Sequence, residues 1–120
     1  MHDPLHVLIL EDRPDDADLI VHELRSAGYL PDWDRVDSEA AYLNSVQNGY
    51  DVILADFNLP QFNALKALKL LRQRGLDIPF IIVSGEISEE TAVDCMRQGA
   101  ADYLLKDRLT RLGKAVERAL

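Results

Sequence analysis

Hydrophobic and polar positions fall into two alternating patterns along this chain, and each predicts one kind of element. Leu5 to Leu10, Asp51 to Asp56, Ile78 to Val83 and Asp102 to Leu105 are short, mostly uninterrupted apolar runs. Runs of this length, rich in branched side chains, read as strands buried on both faces, as in parallel sheets covered by helices. A weaker run, Leu30 to Val36, carries Pro31, Asp32, Asp34 and Arg35 around Trp33, which predicts an edge strand.

Between the strands the apolar period changes to that of a helix. Arg13-Pro14-Asp15-Asp16 opens the first helix, with Pro in an early position and acids against the positive end of the dipole. Ala17, Ile20, Val21, Leu24 and Ala27 give it one apolar face, and Gly28 stops it. Ser38 caps a second helix through Asn48, with Ala40, Leu43 and Val46 inward and Gly49 at its end. A third runs from Ala64 to Arg74 on Leu65, Leu68 and Leu71 and closes at Gly75. Ser88 caps a fourth through Gln98, with Ala92, Cys95 and Met96 inward and Gly99 closing it. The last spans Leu109 to Leu120, with Leu109, Leu112, Val116 and Leu120 on one side. Five strands alternating with five helices predict a doubly wound α/β fold around a mostly parallel sheet.

Length and charge narrow the picture. The 120 residues, 48% of them hydrophobic, suit one domain over 1–120 with a sizeable core. Thirteen basic against 21 acidic side chains give a net charge of -8 without a basic cluster, which disfavours direct nucleic-acid binding. The single Cys95 excludes an internal disulfide and a cysteine metal site, and a reducing, cytoplasmic setting is expected. No apolar stretch approaches the roughly 20 residues of a membrane helix, and the N-terminus lacks a signal pattern.

The candidate chemistry lies at the strand ends. The first strand ends in Glu11-Asp12, the third in Asp56, the fourth in Ser84 and the fifth in Lys106. Parallel strands bring these to one edge, where ligands of open α/β sheets bind. Crowded carboxylates repel unless a cation joins them, and an all-oxygen set of this kind suits Mg²⁺. Lys106, a point charge, suits a phosphoryl oxygen, and Ser84 can donate to another. Such a set fits phosphoryl transfer, with Asp56 a carboxylate nucleophile of a familiar type. Each residue has an ordinary reading alone: Asp12 a helix cap, Ser84 a turn, Asp56 a loop acid, Lys106 a solvated amine. Their coincidence at strand ends is what argues against those readings.

Glu11-Asp12, Asp56, Ser84 and Lys106, at these separations and over essentially the whole chain, resemble the receiver domain of two-component response regulators. Asp56-Phe57-Asn58-Leu59-Pro60 and Ala101-Asp102-Tyr103-Leu104-Leu105-Lys106 match that family's motifs. The resemblance implies a flavodoxin-like strand order of 2-1-3-4-5. It also implies that Asp56 takes a phosphoryl group from a sensor histidine kinase, a histidine phosphotransfer protein or a small phosphodonor. By the same resemblance Mg²⁺ is held by Asp12, Asp56 and the Asn58 backbone carbonyl, with Glu11 acting through water. Lys106 and Ser84 bind phosphoryl oxygens. Tyr103 matches the switch aromatic, although it also reads as an ordinary strand aromatic. The output surface is expected on the fourth helix, fifth strand and fifth helix. The only enzymatic character implied is catalysis of its own phosphorylation and dephosphorylation.

Two positions depart from the family pattern. Asp107 follows Lys106 where Pro is usual in a cis bond, which predicts a trans bond and a reshaped loop into the last helix. Ala64 stands where Gly is frequent. Two other readings compete: an interaction module without phosphorylation, and a Mg²⁺-dependent phosphohydrolase, disfavoured by Asn58 where a second Asp is usual. His2, His6 and His22 lack a metal-ligand spacing. The chain reads as either a stand-alone receiver or part of a longer regulator.

Overall fold

Side chains two apart on a strand share a face, so a strand buried on both sides needs two helix layers. The computed structural model, which describes residues 3–60, 62–86 and 88–120, meets that demand. Its elements are β1 (Asp3–Leu10), α1 (Pro14–Ser26), β2 (Tyr29–Val36), α2 (Glu39–Ser45), β3 (Val52–Ala55), α3 (Ala64–Gln73), β4 (Phe80–Ser84), α4 (Glu89–Arg97), β5 (Asp102–Leu105) and α5 (Leu112–Ala119). The strands form one parallel sheet in the order β2-β1-β3-β4-β5, the flavodoxin-like order expected, with β2 at an edge.

Alternation along the strands sorts the core into two layers. Leu8, Leu10, Ile53, Ala55, Phe80 and Ile82 pack with Tyr42 and Val46, and with Ala64, Ala67, Leu68 and Leu71 of α3. Leu5, Val7, Ile9, Val52, Leu54, Ile81, Val83 and Leu104 meet Ala17, Ile20, Val21 and Leu24 of α1 and Leu112, Ala115 and Val116 of α5. Ser38 and Ser88 cap α2 and α4 through their hydroxyls, accepting from the amides of Ala41 and Thr91. Asn63 caps α3 in the same way, accepting from Lys66.

Several details differ from the sequence reading. Ala40 is exposed, and Tyr42 takes the inward place, its hydroxyl donating to the Ala67 carbonyl at 2.8 Å. An aromatic reaches the third helix where a methyl could not. After Ser45 the second helix tightens into a 3₁₀ turn, Val46–Asn48. Met96 faces outward beside Val93, because Ala92 and Cys95 alone supply the buried stripe of α4. The fifth α-helix starts at Leu112 rather than Leu109, after a 3₁₀ segment Lys106–Arg111 broken at Arg108 (φ -130, ψ 41). Leu109 and Leu112 are both buried, and a 3₁₀ turn stacks residues three apart on one side. The Lys106–Asp107 bond is trans, as expected, and it opens the 3₁₀ segment that precedes α5.

Candidate functional site

Strand register sets the distances between the candidate residues. Leu10 pairs with Ala55, so Glu11 and Asp56 leave the sheet side by side. The ladder continues one bond further on each: the Asp56 amide donates to the Leu10 carbonyl at 2.9 Å, and the Glu11 amide to Val36 at 3.0 Å. Ser84 pairs with Leu105, which delivers Lys106 to the same edge.

Lys106 is the centre of charge. Its Nζ lies 2.8 Å from Glu11 Oε2, 2.8 Å from Asp16 Oδ2 and 3.1 Å from Asp56 Oδ2. Burial opposes the charge on this ammonium, but hydrogen bonds to Asp16, Glu11 and Asp56 outweigh it and hold the amine protonated above its usual range. Glu11 is 1% exposed, and burial pushes its carboxyl up to about 7 against the lowering influence of Lys106 and the Arg13 amide. The Arg13 amide donates to Glu11 Oε1 at 3.1 Å. The ammonium approaches Oε2 off the hydrogen-bond axis, so this buried oxygen keeps a lone pair without a well-directed donor.

Carboxylate oxygens of Glu11, Asp12 and Asp56 all lie within 4.8 Å of one another. Asp12 is exposed and, among the described residues, makes no ion pair or side-chain hydrogen bond. Three hard oxygen donors, one of them buried with a free lone pair, fit a hard divalent cation such as Mg²⁺. Asp56 Oδ1 accepts from the Asn58 amide at 3.1 Å, which fixes the carboxylate rotamer from the loop side. On the far wall the Asn58 amide group donates to the Ser84 hydroxyl at 3.3 Å, and that hydroxyl donates to the Glu86 carbonyl at 3.1 Å. An open cleft of about 660 Å³ lies between, lined by Asp12, Arg13, Asp16, Asp56, Asn58, Gly85, Glu86 and Lys106.

Glu11, Asp12, Asp56 and Lys106 are therefore brought together, with Asn58 across the cleft and Ser84 buried behind it, bonded to the Asn58 side chain. Tyr103 is not among them. It is exposed on β5, opposite Ile82 and two residues before Leu105. Asp16 was missed by sequence reasoning, which took it for an acid at a helix start. The signal was present: Asp16, Ile20 and Leu24 form one row of the helix, and the last two are buried, so the first overhangs the strand edge. His22 is exposed and His2 lies outside the described residues. His6 is half-buried, sharing a 2.8 Å hydrogen bond with the Gly49 carbonyl and packing its ring 4.3 Å from that of Tyr50.

The response regulator receiver domain profile matches residues 7–117. The chain belongs to this family. Receiver domains of this kind serve two-component phosphorelay signalling, and that is the function of this one. The cell cycle transcriptional regulator CtrA of Caulobacter vibrioides is 30% identical over 120 residues, which cover 96% of this chain and 52% of that protein. Response regulator SaeR of Staphylococcus aureus is 30% identical over 101 residues, covering 84% of this chain and 43% of SaeR. The receiver thus spans about half the length of these relatives or less. Its fold is shared with the receiver domain of the Francisella response regulator 1452, at a TM-score of 0.76 and 27% identity over 97% of this chain and 99% of that one. No helix among the described residues is long and apolar enough to cross a membrane.

Proposed function

We propose that the receiver, taken as residues 1–120, accepts a phosphoryl group on Asp56 from the phosphohistidine of a sensor histidine kinase or histidine phosphotransfer protein. The observation that carries this reading is the Asp56 carboxylate, held by Lys106 at 3.1 Å and by the Asn58 amide at 3.1 Å at the mouth of an open cleft. In the transfer the donor's N–P bond breaks as a bond forms between phosphorus and one Asp56 oxygen. The donor leaves as imidazole, and the product is an aspartyl phosphate. Asp12, Asp56 and the Asn58 carbonyl would hold Mg²⁺, with Glu11 acting through water. When bound, the ion supplies charge neutralisation for the incoming phosphoryl oxygens.

The chain's own groups complete the task. Lys106 meets one phosphoryl oxygen as a fixed positive charge, and Ser84 meets another once its hydroxyl leaves the Glu86 carbonyl. That movement opens space behind Ser84, into which Tyr103, now exposed on β5, turns. The two arrangements differ in contacts to the added charge, which biases the population of the α4, β5 and α5 surface toward an output partner. The only reactions the receiver catalyses are the gain and loss of its own phosphoryl group.

Intact mass after incubation with phosphoramidate tests the reading. The wild type should gain one phosphoryl group in the presence of Mg²⁺, lose it in alkali, and gain none with the metal chelated. Asp56→Asn should gain none. An unmodified wild type, or an adduct that survives the substitution, would remove Asp56 from the role.

A further inference from the structure

The Lys106 ammonium donates hydrogen bonds to Asp16 at 2.8 Å and Asp56 at 3.1 Å, and pairs with Glu11 at 2.8 Å, so three carboxylates surround one positive charge. A phosphoryl oxygen entering the cleft has to compete with these acids for it. Phosphorylation at Asp56, the reading on which this inference rests, therefore sets the phosphoryl group against one of these carboxylates. Asp56 carries the phosphoryl group and stays. The Glu11 side chain is 1% exposed and does not line the cleft that a phosphoryl group would enter. The Asp16 side chain is 23% exposed on the first turn of α1, and it borders the open cleft. Water can replace the ammonium there at small cost.

We propose that Asp16 is a positioning residue that holds Lys106 in the phosphoryl-free receiver and competes with the phosphoryl group for its ammonium. The geometry gives the competition its size: an ion pair at 2.8 Å whose carboxylate borders the open cleft is worth a factor of a few rather than of hundreds. Asp16 thus sets how tightly the site takes a phosphoryl group without touching it. It also links the loading of Asp56 to the first turn of α1, whose acid is released when the site fills. Asp15, its neighbour, is exposed and does not line the cleft, so it carries the same charge in the same turn without the contact.

The test is the affinity of Mg²⁺-loaded receiver for beryllofluoride, a phosphoryl mimic, in the wild type, Asp16→Asn and Asp15→Asn. The expected result is a dissociation constant about three- to fivefold lower in Asp16→Asn and unchanged in Asp15→Asn. A second readout needs no metal or mimic. With ¹⁵N-labelled lysine, the Lys106 Nζ signal of the metal-free protein should shift in Asp16→Asn alone, with faster exchange of its protons. Asp16→Ser keeps a hydroxyl at the helix start and provides a second variant for both measurements. Equal or weaker binding in Asp16→Asn, equal tightening in Asp15→Asn, or an unmoved Lys106 signal would each overturn the proposal. A wild type that binds no beryllofluoride would instead overturn the phosphoacceptor reading, and this inference with it.

Discussion

At Lys106 a single ammonium faces three carboxylates, and the three are held to it for different reasons. Glu11 is held by burial, Asp56 by register and the Asn58 amide, Asp16 by the row of side chains on α1. A different polar group, Tyr50, shows what one hydroxyl contributes elsewhere. It is buried and donates to Asp34 Oδ2 at 2.8 Å. Burial, then the hydrogen bond and charge of Asp34, push the phenol up to about 12 from an ordinary 10.0. The folded state therefore holds this proton more tightly than the unfolded chain does. Its contribution to stability is whole below pH 10 and is lost as the pH rises from 10 through 12. Tyr50→Phe should lose about 1 kcal/mol at pH 7, because Asp34 is exposed and returns to water. Between pH 10 and 12 its urea midpoint should fall less steeply than that of the wild type. Tyr42, also raised by burial, is common to both proteins, so the difference isolates Tyr50. Parallel decline of the two midpoints would show that the Asp34 bond does not couple to folding. At this scale the site was largely legible, since Glu11, Asp12, Asp56, Ser84 and Lys106 each end a strand. Asp16 was not, because strand ends can be read along the chain while a helix rim over a sheet edge is a property of packing.

Helices α1 and α5 meet at a place where only one small residue fits. A methyl built on Gly113 would come within 2.5 Å of Ala27 Cβ and 3.8 Å of its Cα. Replacing Gly by Ala inside an exposed helix gains about 1 kcal/mol in propensity, whereas overpacking of a close contact costs about 1–3 kcal/mol. The obstacle is a Cβ fixed to the main chain and not a flexible tip, so the clash should win. Gly113→Ala is expected to lower the thermal midpoint, while the same change in an Ala27→Gly background should raise it. Additive effects in this double-mutant cycle would mean the helices separate without strain. Element identity followed from apolar period, and order from the alternation of strands and helices. Boundaries were less accessible, because they depend on partners distant in sequence. Tyr42 reaches Ala67, and Leu109 and Leu112 both seek the layer that contains α1. Neither contact can be read from the local pattern that placed Ala40 inward or began the last helix at Leu109.

Over the whole molecule, parallel strands gather at one sheet edge the charge that the chain distributes along its length. The net charge is -8, and Glu11, Asp12, Asp16 and Asp56 surround one Lys106. Self-repulsion at that edge destabilises the metal-free fold, and two kinds of cation can relieve it differently. Na⁺ screens all exposed charges over a Debye length of about 10 Å at 0.1 M, whereas a bound Mg²⁺ acts at the cluster. Binding to the folded state alone adds about 2.7 kcal/mol at a hundredfold excess over Kd. At matched ionic strength MgCl₂ should therefore raise the thermal midpoint of the wild type by about 10 °C more than NaCl does. Asp12 has no cationic partner among the described residues, so Asp12→Asn removes a like charge without leaving another unpaired. The variant should melt a few degrees higher than wild type without metal, and MgCl₂ should then act no differently from NaCl. A fold made more stable by the loss of a functional acid is the usual relation between an active site and its scaffold. Equal shifts from both salts in the wild type would mean that the three carboxylates are not a cation site. Loss of stability in metal-free Asp12→Asn would mean that Asp12 serves the fold and not the site.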